Sequence, residues 1–147
     1  MDCESLKKRL EEAGCSESHY SIGTLGDDTF CLDKFGNEWW VFYTERGIVN
    51  DPEFRSESEA EACAYLWEKM QHIRHDHIVG LFHDLAETQE FSRVLHQLGM
   101  NNLIDHIPSP IVHPTLYRVF VFGQAIFEAQ RHFPHLPVRQ WPPESTG

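Results

Sequence analysis

Four of the ten histidines lie close enough together in the sequence to raise the question of metal binding. They are His72, His75, His77 and His83. Imidazole nitrogens bind zinc and related metals, so this group could present two or three ligands to one ion. However, it lacks the cysteine or carboxylate spacing of known zinc sites, and HExxH does not occur. We expect no metal and no other cofactor, and keep a small metal-binding enzyme or sensor as an alternative hypothesis.

The other residue types that carry enzyme chemistry form no complete motif. Cys31 lies in a predicted strand and Cys63 in the apolar stripe of a predicted helix, so both are expected to be core thiols and not nucleophiles. The four cysteines form no CxxC pair, which favours free thiols in a reducing compartment. The glycine-rich phosphate loops GxGxxG and GxxxxGK[ST] do not occur either. We therefore predict no catalytic residue and a protein that is not an enzyme.

Acidic residues are concentrated in the first half of the chain. Of the net charge of −11, residues 1–71 carry −9, with 16 acidic and 7 basic residues. Such a surface repels nucleic acid and anionic membranes, so neither is expected as a partner. A charged partner is expected to be a basic protein. The alternative is that the acidity only keeps the protein soluble.

The acids that could contact such a partner fall in the turns of a small predicted sheet. They are Asp27, Asp28, Asp33, Glu38, Glu45, Asp51 and Glu53. Trp39 and Trp40 lie in a strand between these turns and could supply apolar anchors, while the acids steer association. These nine residues are the predicted interaction surface. The alternative is that the aromatic residues belong to the core and the acids are solvated turn formers.

The elements that position these residues are predicted by hydrophobic periodicity. Helices are expected over 2–14 and 56–72, the second opened by a capping box at Ser56 and Glu59. Strands are expected over 19–22, 29–33 and 38–44, with a fourth at 48–49. Both faces of 38–44 are apolar, which favours a central strand covered on both sides over an exposed aromatic face. This gives an α+β fold in which a small antiparallel sheet of three or four strands packs against several helices.

The second half is predicted to be mainly helical. One long helix is expected from Ile78 to Leu98, with a possible break at 88–90. A last helix is expected over 114–133, although 116–123 would also suit a strand. We expect a single domain over 1–147, made of a unit at 1–72, a helical extension at 73–134 and a loose proline-rich tail at 135–147. Composition shifts in the polar segment 74–77.

The motifs of the first half resemble those of a known family. They are a hairpin of the form D-D-x-[FY]-C-L-x-K at 27–34, an E-R-G after an aromatic strand at 45–47, and a capped helix S-E-x-E-A at 56–63. This pattern is similar to that of the small immunity proteins of bacterial polymorphic-toxin and contact-dependent growth inhibition systems. The resemblance covers roughly the first half, and its motifs are structural in character.

The resemblance implies a cytoplasmic inhibitor that binds a cognate toxin domain and blocks its active site or substrate groove. Many such toxins are nucleases with basic clefts, which suits an acidic inhibitor. The acidic start at Met1 to Glu4 has no apolar run behind it, so no secretory signal is expected, and no segment has the ~20 apolar residues of a membrane span. A third hypothesis is a non-catalytic adaptor or dimerisation module, in which an exposed aromatic strand at 38–44 pairs with another protein or with a second copy.

Overall fold

The α+β class is confirmed by a computed structural model, which describes residues 1–108 and 115–138. Those residues form four helices and two sheets, in two compact units divided between His75 and Asp76. The division falls in the polar segment 74–77, where the composition shifts. A single domain stays a prediction. The last nine residues of the predicted proline-rich tail, 139–147, and residues 109–114 lie outside the described residues.

The first unit is built around a five-stranded sheet and two helices. In chain order these elements are α1 (Cys3–Glu12), β1 (Tyr20–Ile22), β2 (Thr29–Phe35), β3 (Glu38–Glu45), β4 (Ile48–Val49), β5 (Phe54–Ser56) and α2 (Glu59–Gln71). β2 and β3 form the predicted hairpin, and β4 and β5 pair with the other edge of β3. Val41 and Phe42, on opposite faces of β3, are both fully buried. The prediction of a central strand covered on both faces is therefore confirmed.

The predicted all-antiparallel sheet is wrong at β1, which pairs with β2 in parallel. Parallel pairing requires the chain to return to the start of β2, and the segment 23–28 makes that return along the sheet. Gly26 lies so close to the strands that a Cβ there would be 2.3 Å from Cγ2 of Thr29 and 3.1 Å from Cβ of Ser21. The close approach of this loop therefore depends on a residue without a side chain.

The core of the first unit lies between the sheet and its two helices. The fully buried side chains include Leu6 and Leu10 of α1, and Leu66 and Met70 of α2. Of the apolar stripe predicted for α1, Leu6 and Leu10 are buried, and Cys3 and Ala13 are half-buried. The stripe predicted for α2 is correct only in part, because two of its five residues are exposed; the five are Ala60 and Ala64, which are exposed, and Cys63, Trp67 and Met70.

The start of α2 also differs from the prediction. The helix begins two residues later than the first capping box predicts, because Ser56 pairs with Trp39 as the end of β5. Ser58 is the N-cap instead, and its hydroxyl accepts a hydrogen bond from the backbone N–H of Glu61.

The second unit has a three-stranded antiparallel sheet and two helices, so the predicted mainly helical half is not shown. Its elements are β6 (Asp76–Phe82), α3 (Leu85–Gln97), β7 (Leu103–Ile107), β8 (Leu116–Phe122) and α4 (Ala125–His132). The sheet order is β6-β8-β7, so the crossover through α3 leaves a gap that β8 fills antiparallel to both neighbours. Val79, Val119 and Val121 are fully buried with Leu95 of α3 and Ala129 of α4.

Two predicted helices of this half are wrong in part. The apolar spacing of Ile78, Leu81 and Leu85 mimics a helix, but 76–82 is a strand, and α3 begins only after Asp84. The Asp84 carboxylate accepts from the backbone N–H groups of Ala86 and Glu87, which fixes the helix start there. Over 116–122 the chain is a strand, and only Ala125–His132 of the last predicted helix is helical.

Within the described residues, no helix has the length and apolar content needed to cross a membrane.

Replacing Leu66 with alanine should destabilise the first unit by about 2–5 kcal/mol, because the side chain is fully buried and leaves a cavity. Leu25→Ala is the matched control, since Leu25 is 62% exposed and its truncation should change stability by less than about 0.5 kcal/mol. Urea denaturation followed by tryptophan fluorescence measures both. Equal losses for the two variants would contradict the assignment of the core.

Candidate functional site

The predicted acids are divided between two ends of the first sheet and one edge. Because β2 and β3 are antiparallel, Asp27, Asp28 and Glu45 lie at the end where Thr29 pairs with Thr44. Asp33 and Glu38 lie at the opposite end. The seven residues of β2 separate the two ends by about 20 Å. Asp51 and Glu53 lie in the connection from β4 to β5, beside the edge of β3.

At the first end, the paired aspartates hold a turn in place. Oδ1 of Asp27 accepts from the backbone N–H of Gly47, and Oδ1 of Asp28 accepts from that of Arg46, each at 3.1 Å. The Thr44 hydroxyl also donates to the carbonyl oxygen of Gly26 at 2.9 Å. These bonds tie the loop 23–28 to the turn between β3 and β4. Both aspartates are thus turn formers whose carboxylates are also exposed.

Three exposed apolar residues accompany these acids, and sequence reasoning missed them. Leu25 is 62% exposed, Ile48 66% and Val49 46%. In the pairing of β3 with β4, Ile48 lies opposite Glu45 and Val49 lies opposite Thr44. The hydroxyl of Thr44 is hydrogen-bonded to the loop that carries Leu25. The signal available in the sequence was apolar residues placed inside turn segments rich in glycine and acids. We call the set the β4 surface, defined by Leu25, Asp27, Asp28, Glu45, Ile48 and Val49.

The tryptophans belong mainly to the scaffold. Trp39 packs against the core of the first unit, and the Lys34 ammonium lies 5.6 Å from its ring centroid. Trp40 points to the other face, where its ring centroid lies 4.7 Å from that of Phe35. The buried Nε1 of Trp40 has no acceptor among the described residues. Both side chains are half-buried and hold neighbouring groups in place, so neither is a freely exposed anchor.

Two of the seven acids are neutralised by basic neighbours. Glu38 pairs with Arg55 at 2.9 Å, and this hydrogen bond raises the pKa of the guanidinium above its usual value. Glu53 pairs with Lys69 at 3.2 Å. Among the described residues, no ion pair joins Asp27, Asp28, Asp33, Glu45 or Asp51 to a base. Three of these five acids lie at the β4 surface, where the exposed Arg46 is the one basic residue of the turn between β3 and β4.

The grouped histidines do not form a ligand set in the described structure. His75 is buried, and both of its nitrogens are used: Nδ1 accepts from the N–H of Ser16 at 3.0 Å, and Nε2 donates to the carbonyl of Met70 at 2.8 Å. His72 is exposed beside Glu68, and the His83 ring donates to the carbonyl of Thr115. Within residues 1–108 and 115–138, no three His, Cys, Asp or Glu side chains are placed to hold a metal ion.

The cysteines are poor candidates for a nucleophile. All four are free thiols. Burial, together with the nearby thiol of Cys63, raises the pKa of Cys3 to about 12, and burial also raises the pKa of Cys15 and of Cys63. Each shift favours the neutral thiol over the reactive thiolate at physiological pH.

Comparison of the chain with protein-family models, with curated proteins and with solved structures finds no significant match. A proposal about function therefore depends on the geometry of the chain itself and on the motifs at 27–34, 45–47 and 56–63. That geometry contains a surface with exposed apolar side chains and uncompensated carboxylates, and no assembled catalytic group among the residues described above. A surface of this kind can bind a protein, with the apolar side chains as contacts and the carboxylates as the source of steering.

Replacing His75 with alanine should destabilise the first unit by roughly 2–4 kcal/mol, because the N–H of Ser16 and the carbonyl of Met70 lose their buried partner. His72→Ala, at an exposed position, should change stability by less than about 0.5 kcal/mol. Zinc should raise the melting temperature of neither the parent protein nor the variants, since a ligand stabilises only a protein that binds it. A zinc-dependent rise that is lost in His75→Ala would restore the metal hypothesis.

Proposed function

We propose that the chain is a cytoplasmic immunity protein of a polymorphic-toxin or contact-dependent growth inhibition system. It binds a cognate toxin domain and inhibits it without doing chemistry. The observation that carries the proposal is the β4 surface, on which Leu25, Ile48 and Val49 are exposed in the same turns as Asp27, Asp28 and Glu45. The resemblance of the first half to immunity proteins supports the same conclusion.

The charge of this surface favours a basic partner. Carboxylates near exposed apolar side chains raise the association rate with a positively charged groove and disfavour partners of like charge. A nuclease groove is positive because it must hold phosphates, and carboxylates on an inhibitor can take the place of those phosphates. The proposed inhibition is therefore steric and electrostatic occlusion of a substrate groove, which needs no cofactor.

The construction of the β4 surface suits tight binding. Asp27 and Asp28 are held by backbone N–H groups of the turn after β3, so they are already ordered before a partner arrives. Preorganised contacts lose less conformational entropy on binding, which leaves more of the interaction energy as affinity. Ile48 is the first residue of the edge strand β4, directly after the turn, and its exposed side chain can enter a pocket on the partner.

The proposal predicts that the gene immediately upstream encodes a toxin domain, and that domain is the partner used in the test. Ile48→Ala should weaken the complex by about tenfold or more, since a central apolar contact is lost. Asp27→Asn combined with Asp28→Asn keeps an oxygen acceptor for each turn hydrogen bond but removes both charges. This double variant should lower the association rate about three- to tenfold at low salt, and should reduce its salt dependence between about 20 and 200 mM. Surface plasmon resonance measures both effects.

The control for charge is Glu11→Gln, which removes an exposed carboxylate from α1, away from the β4 surface. It should leave the association rate within about twofold of the parent value. Absence of a complex, or of any protection of cells from the toxin, would overturn the proposed function. A complex that tolerates both Ile48→Ala and the double aspartate variant would instead move the interface elsewhere on the chain.

A second candidate function is a dimerisation or adaptor module, favoured by one observation on β7. This strand lies at the edge of its sheet and exposes Leu103 (45%) and Ile107 (41%). Edge strands with exposed apolar side chains pair readily with strands of another chain.

If this candidate is correct, the parent protein should be a dimer, and Ile107→Lys should convert it to a 17.1 kDa monomer by placing a charge on the pairing edge. Size-exclusion chromatography with light scattering gives the mass. Leu85→Lys is a matched control at an equally exposed position on α3 (45%), and it should remain dimeric. A parent protein that is monomeric at all concentrations would exclude this function.

A further inference from the structure

The second unit contains an apolar cavity of about 580 Å³ that the interaction surface does not use. Three half-buried rings line it, those of Phe82, Phe91 and Phe133. Three exposed acids border it, namely Asp84, Glu87 and Glu90. This cavity is wide open to solvent, so it can seat a side chain of a partner without enclosing a whole ligand. We call this feature the Phe91 cavity.

The Phe91 cavity is formed by packing that is already complete in the folded chain. Ring centroids lie 5.5 Å apart for Phe82 and Phe91, and 5.4 Å apart for Phe91 and Phe133. Gly80 makes room for these rings, since a Cβ there would be 2.7 Å from Cε2 of Phe82 and 3.0 Å from Cε1 of Phe91. The N–H of Leu81 donates to the carbonyl of Pro137 at 2.9 Å, which fixes the segment after α4 against β6.

The three acids at the border are not equivalent. The Asp84 carboxylate caps α3. Glu90 pairs with Arg93, whose hydrogen bond holds the pKa of that carboxyl below its usual range. Glu87 differs, because no base among the described residues pairs with it. The cavity therefore offers aromatic faces together with one uncompensated carboxylate.

We propose that the Phe91 cavity binds an arginine side chain of a basic protein partner. A guanidinium can stack on an aromatic face while its N–H groups pair with a carboxylate, and its methylene stem covers apolar surface. The excess of negative charge at the border complements that cation. The identity of the partner as a toxin domain rests on the proposed function, whereas the arginine chemistry does not.

The chain already holds two of its own arginines in this way. Arg55 pairs with Glu38 and lies 5.2 Å from the ring centroid of Trp40. Arg118 makes two hydrogen bonds to Asp105, at 2.7 and 2.6 Å, and lies 5.1 Å from the ring centroid of Phe120. In the Phe91 cavity the ring and the carboxylate are present, and the described residues supply no guanidinium to them.

The proposal is tested by NMR titration of the full chain with Nα-acetyl-L-arginine amide. The aromatic resonances of Phe82, Phe91 and Phe133 should move, with a dissociation constant on the order of millimolar, as expected for one cation–π contact and one exposed ion pair. Nα-acetyl-L-citrulline amide has nearly the same shape without the charge, and should bind about fivefold more weakly. Glu87→Gln should weaken arginine binding about fivefold and leave citrulline binding unchanged.

Glu11→Gln is the matched control in the first unit and should bind the arginine probe like the parent protein. A backbone spectrum of Glu87→Gln that overlays that of the parent shows that the exposed substitution preserves the fold. Equal binding of the arginine and citrulline probes, or no effect of Glu87→Gln, would overturn the proposal. Ring resonances that shift with protein concentration alone would mean that a second copy of the chain occupies the Phe91 cavity. Ring resonances that shift on Arg139→Gln without any probe would mean that the chain's own arginine occupies it. Either result would also overturn the proposal.

The two proposals fail separately. Binding of the arginine probe without any toxin complex would leave this site standing and remove the proposed function. A toxin complex formed by a protein that does not bind the arginine probe would do the reverse.

Discussion

The antiparallel pairing of β2 with β3 is the constraint on which the rest of the first unit depends. Seven residue pairs, from Thr29 with Thr44 to Phe35 with Glu38, fix the register. A slip of β2 by one residue would turn Leu32, which is fully buried opposite Val41, away from the core. The same register decides which acids are neighbours, because it places each turn at a definite end of the sheet. The core and the distribution of charge are thus set by one interaction.

This constraint gives some residues two roles at once. Asp27 and Asp28 complete the hydrogen bonds of the turn after β3, and they also carry the charge of the β4 surface. Replacing either one with alanine would combine a loss of turn structure with a loss of charge, and the two effects could not be separated. An asparagine separates them, since it keeps the acceptor oxygen and tolerates the positive φ found at position 28. Trp40 is similar in that it packs on Phe35 and also holds Arg55.

The sequence predicted elements well where one local pattern dominated. The strands over 29–33 and 38–44 were predicted because β-branched and aromatic residues alternate there between turn residues. The strand 76–82 was missed because Ile78, Leu81 and Leu85 fit a helical period, and Gly80 was the only local sign against a helix. For 116–122, the spacing of apolar residues is compatible with a helix and with a strand. Only pairing with β6 and β7, distant in sequence, selects the strand.

The same limit applied to the sites. The acids of the turns could be named from the sequence because turn formers are recognisable locally. The distance of about 20 Å between the two ends of the sheet could not be predicted, since it follows from the register of the hairpin. The Phe91 cavity was beyond prediction because its rings come from 82, 91 and 133, on three different segments.

An excess of acids makes binding and stability interdependent in this chain. With 23 acidic residues against 12 lysines and arginines, the chain carries an excess of eleven carboxylates. The fold pairs some of them, such as Glu38 with Arg55 and Asp105 with Arg118, and leaves others exposed at the β4 surface and at Glu87. The remaining carboxylates repel one another, which lowers the stability of the compact state. If a basic partner binds as proposed, it should remove that repulsion, so the folded state should be stabilised beyond the contacts that the two proteins share. On that proposal, the acidity that destabilises the free protein contributes to the affinity of the complex.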